Sequence, residues 1–223
     1  MTPYYEHAGI TIYHGDCREV LPDVWFGVGC VVTDPPYGID IDTKYSRIHY
    51  AKDGPRGTGK DHPRVIGDDQ PFDPSPLLGQ CQCVLFGVNH YSTRLPETGT
   101  WHAWDKRDGL GSNMLADFEL FWTTYQSGPS RMFRHKWLGY MRASEGTEFY
   151  HPTQKPVALI KWILSDKRFP TGVILDPYMG SGSTLVAAKE YGRHAIGIEI
   201  EERYCEIAAK RLAQEVLPME AVS

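Results

Sequence analysis

The chain reads as an α/β fold with a mostly parallel, doubly wound sheet, and three observations predict it. Short apolar runs alternate with helical segments along most of its 223 residues, the pattern of a sheet covered on both faces. Two of the runs, Gly29 to Thr33 (GCVVT) and Val173 to Leu175 (VIL), are apolar nearly throughout, as strands buried on both sides are. A glycine-rich turn from Asp176 to Thr184 joins an apolar run to a helix, the junction at which open α/β sheets bind ligands.

Taken in order, Ile10-Thr11-Ile12-Tyr13 alternates like a short strand and ends at His14-Gly15-Asp16-Cys17. A short helix from Arg18 to Val24 follows, with a break expected at Pro22. Gly29 to Thr33 is a buried strand that delivers Asp34 at its carboxyl end. From Ile39 to Arg64 the chain is polar, Gly-rich and without apolar periodicity, a gap too long for an ordinary connection. Pro74 to Gly79 reads as a helical turn, and Gln82 to Phe86 as another buried strand. Thr100 to Trp104 and Asp117 to Trp122 read as further strands, with Trp101, Trp104, Trp122 and Trp137 assigned to the core. Pro156 suits the opening of a helix over Val157 to Leu164. Val173 to Leu175 is a strand, followed by a helix from Thr184 to Tyr191 that Gly192 stops. His194 to Ile198 is the next strand, ending at Glu199. The last helix starts near Glu202, with Tyr204, Ile207, Ala208 and Leu212 at helical spacing.

This length suits one domain, residues 1–223. No apolar run is long enough to span a membrane, and the N-terminal residues lack the regions of a signal peptide, so a cytoplasmic protein is expected. The cysteines at 17, 30, 81, 83 and 205 show no paired spacing, which favours reduced thiols over a zinc site. A net charge of −5 argues against indiscriminate nucleic-acid binding by the whole surface. Two stretches are nevertheless basic. One holds Lys44, Arg47, Lys52, Arg56, Lys60 and Arg64, against three Asp between Ile41 and Arg64. The other holds Arg131, Arg134, Lys136 and Arg142 with no acid.

Asp34-Pro35-Pro36-Tyr37-Gly38 offers a carboxylate, a rigid backbone and an aromatic face at one strand end. In Asp176-Pro177-Tyr178-Met179-Gly180-Ser181-Gly182-Ser183-Thr184, the glycines let backbone approach a ligand. No Lys precedes Ser183 or Thr184, which excludes a Walker P-loop, and the third glycine of a dinucleotide fingerprint is missing. Glu199, 23 residues after Asp176, ends the next strand and can accept bonds from ribose hydroxyls. Together the peptides suggest a planar amino-bearing ring held beside a small polar cofactor.

On these residues the sequence resembles the amino-group DNA methyltransferases. The glycine turn is similar to their S-adenosylmethionine loop, and Asp34-Pro35-Pro36-Tyr37 to their catalytic tetrapeptide. Tyr13-His14-Gly15-Asp16-Cys17 resembles the strand end that contacts the cofactor adenine, and His151-Pro152-Thr153-Gln154-Lys155-Pro156 the segment preceding the cofactor loop. The tetrapeptide comes first, which matches the permuted, beta-type order. The resemblance covers roughly the first 40 residues and residues 151–212. It implies a Rossmann-like methyltransferase fold with circularly permuted motifs, S-adenosylmethionine as cofactor and no metal, in a small bacterial or phage-like form. Asp16 and the Cys17 backbone would hold the adenine edge, and Glu199 the ribose. Asp176, Gly180 and Gly182, with Ser181, Ser183 and Thr184 of the same turn, would enclose the methionine part. Thr153 and Lys155 would lie near its carboxylate, where a cation is needed.

A conjugated amino group is a weak nucleophile because its lone pair is delocalised. Asp34 and the Pro35 carbonyl could each accept one of its N–H bonds and orient the nitrogen, while Pro36 fixes direction and Tyr37 stacks on the base. A base in duplex DNA must leave the stack to arrive there. Asp at the first position is typical of adenine-N6 enzymes in the resembling family, Ser of cytosine-N4 ones. The alternatives are cytosine-N4 methylation, an amino-methyltransferase acting on RNA or protein, and a non-catalytic DNA- or cofactor-binding module. Residues 39–66 are the expected mobile DNA-contacting loop, and 107–150 a small target-recognition insertion. Lys44, Arg47, Lys52, Arg56, Lys60, Arg64, Arg131, Arg134 and Lys136 are the candidate DNA contacts. So little material outside the motifs predicts a short or relaxed target sequence, in a monomer or homodimer.

Overall fold

A computed structural model of the chain describes residues 1–44, 61–110, 116–125, 128–138, 141–145 and 150–213. In chain order the strands are β1 (Tyr5–His7), β2 (Ile10–His14), β3 (Val28–Thr33), β4 (Gln82–Phe86), β5 (Thr100–Asp105), β6 (Phe118–Thr123), β7 (Met132–Arg134), β8 (Trp137–Leu138), β9 (Met141–Arg142), β10 (Val173–Asp176) and β11 (Ala195–Glu199). The helices are α1 (Cys17–Val24), α2 (Val157–Leu164), α3 (Ser183–Glu190) and α4 (Glu202–Ala213). Nine strands form one sheet in the order β1-β2-β11-β10-β3-β4-β6-β5-β7, and β8 pairs with β9 alone. The five strands from β2 to β4 are mutually parallel; β1 and β6 run against their neighbours.

Alternation along the parallel strands divides the core in two. Cys30, Val32, Val84, Phe86 and Ile174 face α2, α3 and α4. Val31, Cys83, Leu85, Leu175 and Ile198 face α1 and the turns carrying Phe72 and Leu77. Both faces of β3 and β10 are therefore buried, which is why their sequences lack polar alternation. β3 leads to β4 on one side, whereas β10 leads through α3 to β11 on the other. The crevice where the order reverses lies between the carboxyl ends of β3 and β10, the ligand-binding place of such sheets.

Several expectations change. α1 is not broken at Pro22: Asp16 caps it, and Cys17, Val20, Leu21 and Val24 bury one face, so loss of a single backbone donor is tolerated. Trp104, Trp122 and Trp137 are buried, but Trp101 is 37% exposed because it lies on the face of β5 that no helix covers. β1 and β7 to β9 are too short to show periodicity. Within 107–150, β6 and β7 belong to the main sheet, and the β8–β9 ribbon stands apart. Arg47, Lys52, Arg56 and Lys60 lie outside the described residues, as does part of 39–66.

Candidate active site

Three carboxylates end adjacent elements on one sheet edge. Asp16 follows β2, Glu199 ends β11 and Asp176 ends β10. Asp16 accepts the Arg18 amide at 2.9 Å and pairs with its guanidinium, which holds the carboxyl below its ordinary range. Glu199 accepts the Gly180 amide at 2.9 Å on one oxygen and the Glu201 amide at 2.8 Å on the other. Burial nonetheless pushes it up to about 7. Asp176 accepts the Thr33 hydroxyl at 2.7 Å and the Tyr178 amide at 3.2 Å, and burial pushes it up to about 6.

The glycine turn runs between these acids. Gly180 and Gly182 take left-handed φ of 49° and 80°, and a Cβ on Gly182 would meet Ala208 of α4 at 2.8 Å. Gly197 of β11 lets the turn lie against the sheet, since a Cβ there would meet the Met179 sulfur at 2.4 Å. Ser181 and Ser183 face α4, where Arg211 donates to the Ser181 carbonyl at 2.6 Å and to both hydroxyls. Thr184 bonds Asp176. Two clefts open here and share Tyr178 as a wall. One is lined by Asp34, Phe86, His151, Lys155, Asp176 and Gly180; the other, mostly apolar, by Cys17, Leu21, Trp25 and Leu77.

Asp34 stands at the opposite wall of the crevice, directly after Thr33 and hence one residue from the bond to Asp176. Tyr37 donates its hydroxyl to one oxygen of Asp34, and Lys155 its ammonium to the other at 2.5 Å. Burial raises Asp34 above the usual carboxylate range, and Lys155 opposes that shift. Burial and the neighbouring Asp34 put Tyr37 well above the ordinary phenol value. The Tyr37 ring stacks on His90, centroids 5.2 Å apart, and lies so close to Gly87 that a Cβ there would fall 2.0 Å from it. Asp68, 3% exposed, holds the peptide from behind: its carboxylate accepts the amides of Tyr37, Gly38 and Ile41 at 2.8–2.9 Å, and that of Ile39 at 3.4 Å.

Lys155 does more than pair with Asp34. Its ammonium lies 3.3 Å from Glu119 of β6, whose other oxygen takes Lys106 at 2.6 Å. Burial works against ionising Glu119, but the two lysines overcome it and hold the carboxyl down at about 2. Burial likewise works against the Lys155 charge, and Asp34 and Glu119 carry it above its ordinary value. His151, packed edge-on to Tyr204 with ring centroids 4.4 Å apart, is pushed down to about 3 by burial and so is neutral at pH 7. Thr153 lies beside it, its hydroxyl 3.2 Å from the imidazole Nδ1.

The chain is similar to known proteins. The family described as "DNA methylase" (N6_N4_Mtase) matches residues 100–210, which include β5 to β11 and the glycine turn. The chain belongs to this N6/N4 DNA methylase family. The Type II methyltransferase M.ScaI of Streptomyces caespitosus is 27% identical over 96% of this chain and 84% of its own. The Type II methyltransferase M2.LlaDCHI of Lactococcus lactis subsp. cremoris is 34% identical over 49% of this chain and 40% of its own. Among solved structures, the M1.HpyAVI–SAM complex shares the fold with TM-score 0.54 at 22% identity, covering 92% of this chain and all of that one. The cytosine-N4-specific PvuII DNA methyltransferase does so with TM-score 0.60 at 14% identity, covering 96% and 90%.

In this methylase the structure brings Asp34, Thr153, Lys155, Asp176 and the glycine turn to one cleft, with Tyr37 bonded to Asp34, Glu199 behind the turn and Asp16 at the next strand end. Lys155, expected near a cofactor carboxylate, lines the same cleft as Asp176 and Gly180 and pairs there with Asp34 and Glu119. Gly87 and His90 fall in the stretch Phe86 to Tyr91, which its place after a strand marks as able to border the pocket or simply to pack and turn, and His151 opens the segment that precedes the glycine turn. Asp68 has no signal in the sequence, and Glu119 leaves a faint one: an acid near the start of an otherwise apolar strand. Of the basic candidates, Arg64 pairs with Asp40 at 2.9 Å and Arg134 ends β7 on the site's edge, 3.6 Å from Asp105. Arg131 precedes β7, further from that edge, and Arg131 and Lys44 are exposed whereas Lys136 is half-buried. Among the described residues no helix is long and apolar enough to cross a membrane.

Proposed function

We propose that this methylase transfers a methyl group from S-adenosylmethionine to the exocyclic N6 of an adenine extruded from duplex DNA. The observation that carries the reading is the link Asp34–Thr33–Asp176, which sets an acceptor carboxylate and a donor-side carboxylate on facing walls of one crevice. The residues present fit the cofactor. Glu199, buried and bonded only to backbone amides, retains lone pairs for ribose hydroxyls. Asp176 suits an ammonium, and left-handed Gly180 and Gly182 bring bare backbone to the methionine part. Asp16 and Cys17, beside the apolar cleft under Tyr178, suit the adenine. Ser181, Ser183 and Thr184 complete the turn, with Thr153 at its edge. Bound there, S-adenosylmethionine would supply an electrophilic methyl on its sulfonium; the sulfur would keep the bonding pair as S-adenosylhomocysteine, and the proton shed by the methylated nitrogen would pass by way of Asp34 to solvent.

The chain's own groups do the rest. Asp34 and the Pro35 carbonyl accept the two N–H bonds of the target amino group, so that its lone pair is held toward the crevice rather than delocalised into the ring. Pro35 and Pro36 keep those acceptors in place without reorganisation, and positioning of this kind supplies most of the rate gain. Tyr37, backed by His90 and Gly87, sets one wall of the base pocket. Asp34 at the head of the tetrapeptide supports adenine over cytosine. Lys44, Arg64, Arg131, Arg134 and Lys136, together with the basic residues of 45–60, supply phosphate contacts that weaken with salt. The setting is the bacterial cytoplasm, as monomer or homodimer, with a short or relaxed target.

The test is transfer of labelled methyl to duplex DNA, single-stranded DNA, RNA and protein, followed by digestion of the product to nucleosides. N6-methyladenine from duplex DNA is expected. Label in N4-methylcytosine, RNA or protein overturns the adenine assignment, and no transfer to any of them overturns the enzyme.

A further inference from the structure

Both oxygens of Asp34 are occupied before any target arrives: Tyr37 donates to one, and Lys155 holds the other at 2.5 Å. Yet Asp34 is the acceptor that methyl transfer requires. As the amino nitrogen forms its bond to the methyl it acquires positive charge, and an ammonium on the same carboxylate would repel it throughout that step. Lys155 therefore needs a second station. The structure contains one. Oε2 of Glu119 is shut off from solvent, and what it meets is that same ammonium, in an ion pair of 3.3 Å. The pair is loose at that length, and a buried carboxylate oxygen gains from a shorter, charge-assisted bond. Glu119 cannot swing away to solve the problem itself, because Lys106 fixes its other oxygen at 2.6 Å. The distance between the stations is small, so a modest torsional change of the Lys155 side chain carries the ammonium across.

We infer that Glu119 is a positioning residue of the acceptor site: it draws the Lys155 ammonium off Asp34 when the target amino group takes its place there. Lys155 then serves twice, keeping Asp34 ionised in the empty site and standing aside during transfer. The inference rests on the methyl-transfer reading above. It does not depend on which base is methylated.

The test is a double-mutant cycle on the full chain with duplex DNA, read as the single-turnover rate of methyl transfer. Glu119→Gln is expected to slow transfer by about 10- to 100-fold, while cofactor affinity stays within about twofold, because only the transfer step meets the misplaced ammonium. In the Lys155→Met background, the same Glu119→Gln change is expected to cost less than about threefold, since Glu119 acts through Lys155. An undiminished cost there, or a wild-type rate for Glu119→Gln alone, overturns the inference.

A pH profile of Glu119→Gln provides a second readout should Lys155→Met be too slow to measure. The groups facing Lys155 are Asp34 and Tyr37 after β3, Glu119 of β6 with its partner Lys106, and neutral His151 ahead of α2. With Glu119 neutralised, Lys155 leaves Asp34 only by losing its proton. The variant's rate should then climb by up to about tenfold per pH unit on the alkaline side, where wild type is flat. Parallel profiles overturn the inference. If wild type transfers no methyl to DNA, the functional reading falls instead; if it does and these outcomes fail, only the role of Glu119 falls.

Discussion

The two walls of the crevice are built by different means. On the donor side the holding groups are neutral: amides of Tyr178, Gly180 and Glu201 and the hydroxyls of Thr33 and Thr184 grip Asp176 and Glu199, and left-handed glycines shape the turn. Its acids sit above their ordinary range because burial is only partly compensated. On the acceptor side, side chains from four separated segments hold one another: Asp34 with Tyr37, Lys106, Glu119 and Lys155. That wall is internally neutralised. In the proposed reaction the donor wall therefore has lone pairs to offer a ligand, whereas the acceptor wall would give up a partner to admit one.

Substitutions break the comparison in a graded way. The largest effect is expected at Asp34: Asp34→Ala should lower single-turnover methyl transfer by more than about 10³-fold while cofactor titration is unchanged within about threefold. Near-normal turnover would remove Asp34 from the chemistry. On the other wall, Glu199→Gln should weaken cofactor binding about 10- to 100-fold, the cost of losing charge-assisted bonds, and leave the saturated rate nearly intact. A rate loss without an affinity loss would show that the walls do not divide the work this way.

Gly87→Ala tests the acceptor wall from behind. The new methyl would strike the Tyr37 ring at 2.0 Å from a residue with φ of 65°, so turnover should drop about tenfold or more, with cofactor affinity preserved. A smaller effect is expected from pH. Glu199 at about 7 and Asp176 at about 6 retain protons that the unfolded chain has already released, so the ligand-free protein loses stability as pH rises through that interval. Cofactor binding should move the other way, tightening several-fold from about pH 6 to about pH 8 as hydrogen-bond donors meet ionised acids. Calorimetry across the range checks both signs, and Glu199→Gln should flatten the affinity curve. Smallest is Asp68→Asn, which should cost about 1–3 kcal/mol in chemical denaturation because amides now face an NH₂ group as well as an oxygen.

The same contrast explains what the sequence discloses. The donor wall is contiguous: strand, acid, glycine turn and helix follow one another, and their spacing is imposed by backbone geometry, so Asp176, Gly180, Gly182 and Glu199 stand out. The acceptor wall is assembled across the sheet. Asp34 is legible because two prolines mark it, but Glu119 is a lone acid in β6, and it reaches Lys155 only because β6 runs against β4 and begins at the site's edge. Asp68 has no local pattern at all; its function is defined by four amides that precede it by some thirty residues. Pro22 and Trp101 depart from local preference for a related reason, since tertiary packing and an uncovered sheet face override it.

Asp68 has a counterpart nearby. The Thr43 hydroxyl bonds the His62 carbonyl at 2.8 Å, and the His62 amide bonds the Thr43 carbonyl at 3.0 Å, so the chain is tied where it leaves for residues 45–60 and where it returns. Behind this knot, Asp68 grips the peptide from Tyr37 to Ile41 separately. The two anchors are independent: a change between the tied residues would have to undo the Thr43–His62 pair and then the Asp68 carboxylate before it displaced Asp34, so the connection has a fuse at its base and the site a second one behind it.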